Sequence, residues 1–301
     1  MSLALFALAV ALAANVVLGP LGFGLLQWRV SANGLNQTYG ADAVSLLLVV
    51  PAALAAAWLW NAHHRLAAPV TLGVGLATLY YAIAEVLGPN YLQYAGNNER
   101  FFLLFLTLII LSWTSVAGAW AALDRQPPQL SRRLRRSFAT VLLLGVAALA
   151  YAWLAQLVDL AATGALSAPG DAQAYTESPS AFWTIRIVDL GFIVPISIWT
   201  GIGLWQGRPT ALRMSFGIAT FLTLQSASVM AMGAVMLWKQ DPTATPMLLV
   251  ALAPVTLALA GLTARLLAAY AGARKSQNAL GAVKEQLPVL ADPLPVGAGW
   301  K

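Results

Sequence analysis

Apolar runs of about 20 residues dominate the chain, and each is long enough to cross the hydrocarbon core of a bilayer as a helix. Eight such runs are separated by short polar segments. They fall near residues 3–27, 43–60, 70–88, 101–122, 138–161, 180–205, 214–237 and 246–269. The pattern predicts an all-α polytopic membrane protein, a bundle of about eight transmembrane helices. Residues 1–270 then form a single transmembrane domain.

A different composition follows the last apolar run. Residues 271–301 contain room for one short helix and then several prolines and glycines, among them Pro288, Pro293 and Pro295. We expect this segment to be a cytoplasmic tail that is partly flexible.

Basic residues divide unequally between the two sides of the predicted bundle. Thirteen of the 17 lysines and arginines lie in the loops 61–69, 123–137 and 206–213, at the end of the last run and in the tail. The opposite side has four basic residues against eight acidic ones. Because basic loops stay in the cytoplasm, both termini are predicted to be cytoplasmic, in a multi-pass protein of the cell membrane. This asymmetry explains the net charge of +6 without a nucleic-acid partner.

Composition narrows the chemistry further. Hydrophobic residues make up 59% of the chain and charged residues 9%, whereas soluble domains carry roughly 25% charged residues. Membrane lipids are therefore the expected surroundings. The chain has no cysteine, which excludes disulfides and thiolate chemistry, and its two histidines, His63 and His64, are adjacent. We expect no metal and no cofactor.

Ionisable residues inside the predicted spans gather toward one side of the membrane. Glu85 and Asp159 lie near the outer ends of helices that run outward, and Arg186 and Asp189 lie roughly 10–15 Å along a helix that runs inward. Charged groups in a membrane are costly, so by default they indicate a site or a paired structural contact. Their placement predicts a polar cavity open to the extracytoplasmic side.

Helical spacing adds neutral residues to this region. Tyr81 precedes Glu85 by one turn, and Gln225 is the one amide on the seventh predicted helix. The predicted ligand-binding residues are Glu85, Asp159, Arg186, Asp189, Tyr81, Gln225 and Asp42.

Structural explanations compete with this interpretation. Arg186 and Asp189 are three residues apart and could form an intrahelical ion pair, or bind Glu85 or Asp159 to fix the packing of the helices. Asp42 could cap the second predicted helix instead of binding a ligand.

Prolines interrupt several spans. Pro195 removes the amide that would bond to the carbonyl of Gly191, and Pro51 does the same in the second helix. Such sites bend helices and, in transporters, can bind ions through freed carbonyls. The two four-helix halves share this mid-span proline, but no further matching supports an internal repeat.

Two segments carry a resemblance to known proteins. The stretch Gly40-Ala-Asp42 leading to Pro51, and the stretch Asp189-Leu-Gly191 leading to Pro195, resemble a family of uncharacterised polytopic bacterial membrane proteins. In that family an outer-loop G-x-D precedes a proline-bearing second helix, and a later span carries D-L-G…P.

The family's region between the third and fourth helices is similar to Tyr80-Tyr81 followed by Phe102-Leu103. Here Glu99-Arg100 stands where that family has an Asn before the Phe-Leu pair. The resemblance implies a bacterial inner-membrane protein in which Asp42 and Asp189 are linked features, and it implies no activity.

These observations favour a protein that binds or transports a small polar, cationic or zwitterionic ligand from the outside. A non-catalytic structural subunit, with partner membrane subunits, is the first alternative. An intramembrane enzyme that uses paired carboxylates is the second, although no catalytic set of nucleophile, base and orienting group can be assembled from the sequence.

Overall fold

The computed structural model describes residues 1–125 and 127–286, with the side chains of Leu248 and of residues 273–286 excepted. Within this part the regular structure is helical and contains no strand. Nine helices follow one another: α1 (Ser2–Leu18), α2 (Ala32–Asn61), α3 (Ala67–Leu87), α4 (Phe102–Ala122), α5 (Arg132–Thr163), α6 (Pro169–Glu177), α7 (Pro179–Gln206), α8 (Pro209–Trp238) and α9 (Pro246–Gln286). The predicted all-α fold is confirmed for these residues.

Seven of the helices are long and apolar enough to cross a membrane. They are α2, α3, α4, α5, α7, α8 and the Leu249–Gly272 part of α9. The apolar helix α1 is shorter, with 17 residues, and α6 is a nine-residue connection between α5 and α7. The prediction of a helical multi-pass membrane protein is therefore supported by length and composition. Helix α9 continues beyond residue 270, and residues 287–301 of the predicted tail lie outside the described residues.

The first two helices differ most from the sequence prediction. The first apolar run was expected to be helical to residue 27, but α1 ends at Leu18 and the chain turns through Gly19–Gly24. Helix α2 then begins at Ala32, where Ser31 accepts a hydrogen bond from the amide of Gly34. Asp42 lies inside α2, so the prediction that it caps this helix was wrong. The error arose because the polar first part of α2 is embedded by packing and not by its own hydropathy.

A π-helical turn precedes the proline in each of the two kinked helices. The turns are Ser45–Val49 in α2 and Asp189–Ile193 in α7. The amides of Val50 and Val194 each bond to a carbonyl five residues back, and a proline follows directly. A proline has no amide to donate and its ring clashes with the carbonyl four residues before it, so the extra residue of a π turn relieves that clash.

The helix contacts divide the molecule into two similar halves. One half is α1–α4, and the other is α5 with α7–α9. Helix α1 packs on α2 and α4 as α5 packs on α7 and α9. Helix α2 contacts α3 as α7 contacts α8, and α3 packs on α4 as α8 packs on α9. Between the halves α3 crosses α8, while α2 meets α8 and α7 meets α3. Exchange of the halves leaves this pattern of contacts unchanged.

Local geometry repeats at one spacing along the chain. Pro51 and Pro195, His63 and Gly207, and Gly73 and Gly217 are each 144 residues apart (195 − 51, 207 − 63 and 217 − 73). His63 and Gly207 both have positive φ, 50° and 76°, and each ends a kinked helix. The next amide bonds five residues back in both cases, from His64 to Leu59 and from Arg208 to Gly203. The structure thus supports an internal repeat of four helices that the sequence did not support.

The two halves meet where small residues allow close approach. A Cβ on Gly73 would meet Thr220 and the carbonyl of Gly217, and a Cβ on Gly217 would meet Leu72. A Cβ on Gly40 would overlap the backbone of Met232. The joint between α2 and α8 is therefore tight. The equivalent joint, between α7 and α3, is less extensive.

Candidate functional site

Two consecutive tyrosines of α3 reach carboxylates on two different helices. The hydroxyl of Tyr81 donates to Asp42 Oδ1 of α2 at 2.6 Å. The hydroxyl of Tyr80 donates to Asp189 Oδ1 of α7 at 3.0 Å. Successive residues point about 100° apart around a helix, so the two adjacent tyrosines can contact two different helices, α2 and α7. Each carboxylate lies at or just before the π turn of its helix, and α3 therefore connects the two kinks.

The first cluster consists of Asn15, Asp42, Tyr81 and Glu85. The amide nitrogen of Asn15 donates to the hydroxyl of Tyr81 at 2.8 Å, which leaves that hydroxyl free to donate to Asp42. Asp42 is fully buried, and its Oδ2 has no hydrogen-bond partner in the described part of the chain. Nor has Asn15 Oδ1. Two acceptor atoms in this cluster are thus buried and unpaired.

Glu85 completes the first cluster. It lies one helical turn beyond Tyr81 on α3, and it is partly buried. Among the described residues it forms no hydrogen bond, and Tyr81, one turn before it, is the residue that bonds to Asp42. Two carboxyl groups in the same nonpolar surrounding repel each other unless a proton or a cation neutralises one of them.

The second cluster consists of Tyr80, Trp153, Gln156, Arg186 and Asp189. Trp153 of α5 donates its indole N–H to Asp189 Oδ2 at 2.7 Å, so both carboxylate oxygens of Asp189 are occupied. The guanidinium of Arg186 lies over the ring of Trp153, 4.2 Å from its centroid, and over Phe182 at 3.7 Å. Its Nη2 donates to the side-chain oxygen of Gln156. The second cluster is internally satisfied to a greater degree than the first.

Arg186 and Asp189 do not form the predicted ion pair. The two ion pairs in the described residues join Arg29 to Glu99 and Arg65 to Asp124. The indole of Trp153 instead contacts both groups, its face toward Arg186 and its N–H toward Asp189. Arg186 and Asp189 therefore both contact one aromatic side chain from another helix.

Loop contacts fix the helix ends beside the clusters. The hydroxyls of Ser31 and Ser178, which precede α2 and α7, lie 3.3 Å apart. Asn90, just after α3, donates to the carbonyl of Glu177 at 2.9 Å.

Asp241, between α8 and α9, accepts hydrogen bonds from Asn33 and Asn36 of α2. Burial alone would raise the pKa of Asp241, but hydrogen bonds from Asn36, Thr243 and Asn33 outweigh it and hold the pKa below the ordinary value. The start of α2 is thereby joined to the other half of the molecule by an ionised carboxylate.

Two of the predicted site residues lie apart from the clusters. Asp159 accepts hydrogen bonds from the amide and the hydroxyl of Ser167 at 2.6 and 2.8 Å, and so closes the turn after α5. The pairing of Asp159 with Glu85 or Arg186 is not formed among the described contacts. Gln225 is partly buried one turn beyond Phe221, which contacts Tyr80, and it makes no hydrogen bond to a described residue.

The sequence reasoning missed three contributors. Asn15 lies within an apolar run, and a tyrosine near the end of a span, such as Tyr80, is typical of the membrane interface, whereas here it bonds to Asp189. Trp153 carried no signal, because tryptophans in spans most often face lipid or the interface. The adjacency of the two tyrosines was the one feature from which a double role could have been inferred.

The internal repeat relates the charges of the two clusters. At the spacing of 144 residues, Asp42 corresponds to Arg186 and Tyr81 corresponds to Gln225. The halves therefore share a backbone arrangement and differ in the sign of charge at a matched position. Comparisons of the chain with protein-family models, with curated proteins and with solved structures found no match.

Proposed function

We propose that the protein is a membrane transporter or receptor for a small cationic or zwitterionic ligand, which it binds at the first cluster. In this proposal α1 also crosses the membrane, both termini are cytoplasmic, and the clusters open toward the extracytoplasmic side of the bacterial inner membrane. The unpaired, buried Oδ2 of Asp42 beside Glu85 is the observation that carries it.

The chemistry of the first cluster favours a cation over an anion. Asp42 and Glu85 supply two carboxyl groups, and Tyr81 and Asn15 supply a hydroxyl and an amide oxygen. A cationic group between the carboxyl groups would remove their repulsion and occupy the free acceptors, and a proton could do so when the ligand is absent. Ligand and proton would then compete for the same pair of carboxyl groups.

The internal repeat supports the transporter form of the proposal. Many transporters consist of two repeats with the binding site near their boundary, formed by interrupted helices. Here the interrupted helices α2 and α7 belong to different halves, and α3 contacts both acids through Tyr81 and Tyr80.

The experiment compares ligand-induced thermal stabilisation of the purified protein with that of variants, over a panel of amines, betaines and amino acids. We expect at least one compound to stabilise the native protein. Asp42→Asn and Glu85→Gln should each lose the effect, with affinity lowered about tenfold or more, because one charge-assisted contact contributes about 1.5–3 kcal/mol. Asp159→Asn, which removes the same charge outside the cluster, should retain it.

Two outcomes would contradict this function. Either no member of the panel stabilises the native protein, or Asp159→Asn loses binding as fully as Asp42→Asn does. Where binding is found, uptake into proteoliposomes with an imposed proton gradient separates the transporter from the receptor.

A structural subunit is the second candidate, and the second cluster favours it. Both oxygens of Asp189 are hydrogen-bonded, and Arg186 is held by Gln156 and two aromatic rings, as in a packing contact. Stoichiometric co-purification of partner membrane proteins with the native chain, without any ligand effect, would support this candidate.

A further inference from the structure

A groove lies between α5 and α9 in the second half of the molecule. In the first half, α1 packs closely on α4, and the side chain of Met1 lies directly over Gly118. The equivalent pair in the second half, α5 and α9, makes fewer contacts. Leu262, which corresponds to Gly118 at the spacing of 144 residues, lines an open groove instead. Helices α5 and α9 are thus less closely packed than α1 and α4, and a groove lies between them.

This groove, between the start of α5 and the later part of α9, has a volume of about 440 Å³. Its lining is amphiphilic: Leu134, Leu262 and Ala268 are apolar, and Ser131, Ser137, Arg133 and Arg265 are polar. Arg133 is the second residue of α5, and Arg265 lies near the end of the Leu249–Gly272 span. The groove therefore lies at the boundary between the apolar and the polar surface of the protein.

Several arginines on this side of the protein have partners within the chain. Arg65 pairs with Asp124, Arg213 donates to the carbonyls of Trp120 and Leu123, and Arg136 lies over Trp205. Arg133 and Arg265 form no hydrogen bond or ion pair within the described part of the chain. Both are exposed.

We propose that the groove between α5 and α9 binds one anionic phospholipid. The guanidinium groups of Arg133 and Arg265 hold its phosphate, with the hydroxyls of Ser131 and Ser137 in reach of the ester oxygens. An acyl chain lies against Leu134 and Leu262. A planar guanidinium presents two parallel donors to a phosphate, and basic pockets between transmembrane helices recognise anionic headgroups.

The lipid, and not a soluble phosphate, is the occupant for two reasons. Leu262, in the apolar part of the lining, lies within the Leu249–Gly272 span. A soluble anion has no apolar group that could pack against it. The groove also opens at the level where headgroups lie. An interfacial position supplies lipid at high local concentration.

The test counts bound lipids by native mass spectrometry of the purified protein, with phosphatidylglycerol and phosphatidylcholine as probes. We expect one tightly retained phosphatidylglycerol. In the double variant Arg133→Gln, Arg265→Gln its affinity should fall roughly 30-fold, since each basic residue near the surface contributes about fivefold. The single variants should each lose about fivefold, which keeps the test informative if the double variant folds poorly.

The matched control is the double variant Arg125→Gln, Arg132→Gln. It removes the same charge from the same side of the protein and leaves the groove lining intact, so its affinity should fall by clearly less than that of the groove variant, because charges outside the groove act only through screened, long-range attraction. Equal losses in the two double variants would overturn the proposal, because they would indicate a general charge effect. So would equal retention of phosphatidylcholine, or displacement of the lipid by millimolar inorganic phosphate, which would make the occupant a soluble anion.

Discussion

Trp153 connects the two charged residues of α7 without being charged itself. Its ring lies beneath the guanidinium of Arg186, and its N–H bonds to Asp189. A direct ion pair at this place would confine both charges to one geometry. The indole instead lets Asp189 remain bonded to Tyr80 and α3 while Arg186 turns toward Gln156 and α5. Trp153 thus joins α5 to α7, and Asp189 extends the connection to α3 through Tyr80.

Two substitutions separate the functions of this side chain. Trp153→Phe keeps a ring under Arg186 and removes the donor to Asp189, at a cost of about 1–3 kcal/mol in a buried site. Trp153→Leu also removes the cation–π contact, which contributes about 0.5–2 kcal/mol more. We expect the thermal stability of the purified protein to fall in the order native, Phe, Leu.

Trp113 provides the control for these variants. It is 56% exposed on α4, and its conversion to Phe should leave the melting temperature unchanged. A Trp153→Phe variant as stable as the native protein would show that the indole N–H contributes nothing, and equal stability of Phe and Leu at position 153 would exclude the cation–π contact.

The sequence predicted the residues of this region better than their partners. Arg186, Asp189 and Tyr81 were singled out because ionisable and polar side chains in a span are few and costly, and Asp42 because it precedes the second apolar run in the segment that carries the family resemblance. Two of their partners, Trp153 and Tyr80, are of types that are common at membrane interfaces and therefore give no local signal. The third, Asn15, is a single amide within an apolar run. Spacing within α7 favoured an Arg186–Asp189 pair. The actual contacts come from α3 and α5, distant in sequence, and no periodicity encodes them.

At the scale of the element, the first part of α2 shows how packing overrides hydropathy. Residues 32–44 are polar for a membrane helix, and the sequence accordingly predicted a start near residue 43. The helix begins at Ala32 because Ser31 caps it, Asp241 accepts hydrogen bonds from Asn33 and Asn36, and Gly40 permits contact with α8. The length of the apolar run predicts the lipid-facing part of α2. It does not predict the polar first part, which faces the rest of the protein.

The close approach at Gly40 can be tested directly. In Gly40→Ala the new methyl group would overlap the backbone of Met232, so α2 and α8 must separate. We expect a loss of stability of about 1–3 kcal/mol, the usual cost of overpacking, seen as a lower melting temperature.

Gly145→Ala in α5 is the matched control. A Cβ there meets nothing within 4 Å, and Ala favours a helix by about 1 kcal/mol over Gly. This variant should be as stable as the native protein or slightly more so. A Gly40→Ala variant that behaves like it would mean that the joint between α2 and α8 is loose.

On the scale of the whole molecule, the repeat explains why the same kink occurs twice. Equivalent positions keep the prolines, the positive-φ helix ends and the glycines of the crossing, while most other apolar residues differ in identity. A lipid-exposed or packed apolar position accepts many side chains of similar size. Sequence comparison of the halves therefore loses the relation, and backbone geometry retains it. The two halves differ at Asp42 against Arg186 and at Gly118 against Leu262, positions that belong to, or lie beside, the proposed ligand and lipid sites.

Two halves that fold as four-helix units should assemble from separate chains. The loop between α4 and α5, residues 123–131, joins them, and its cleavage removes no helix. We expect fragments 1–127 and 128–301, when co-expressed, to purify as a one-to-one complex. The crossing of α3 and α8 should hold it together, because Gly73 lies against Thr220 and Gly217 there.

The variant Gly73→Leu in the first fragment should abolish this co-purification, since its side chain would enter the crossing. Gly261→Leu in the second fragment should not, because a Cβ at Gly261 meets nothing within 4 Å. Fragments that remain separate, or glycine variants that behave alike, would contradict the central position of this crossing. If the fragments associate with Gly261→Leu but not with Gly73→Leu, the joint between the halves lies at α3 and α8. Helix α3 also carries the tandem tyrosines that connect the two carboxylates.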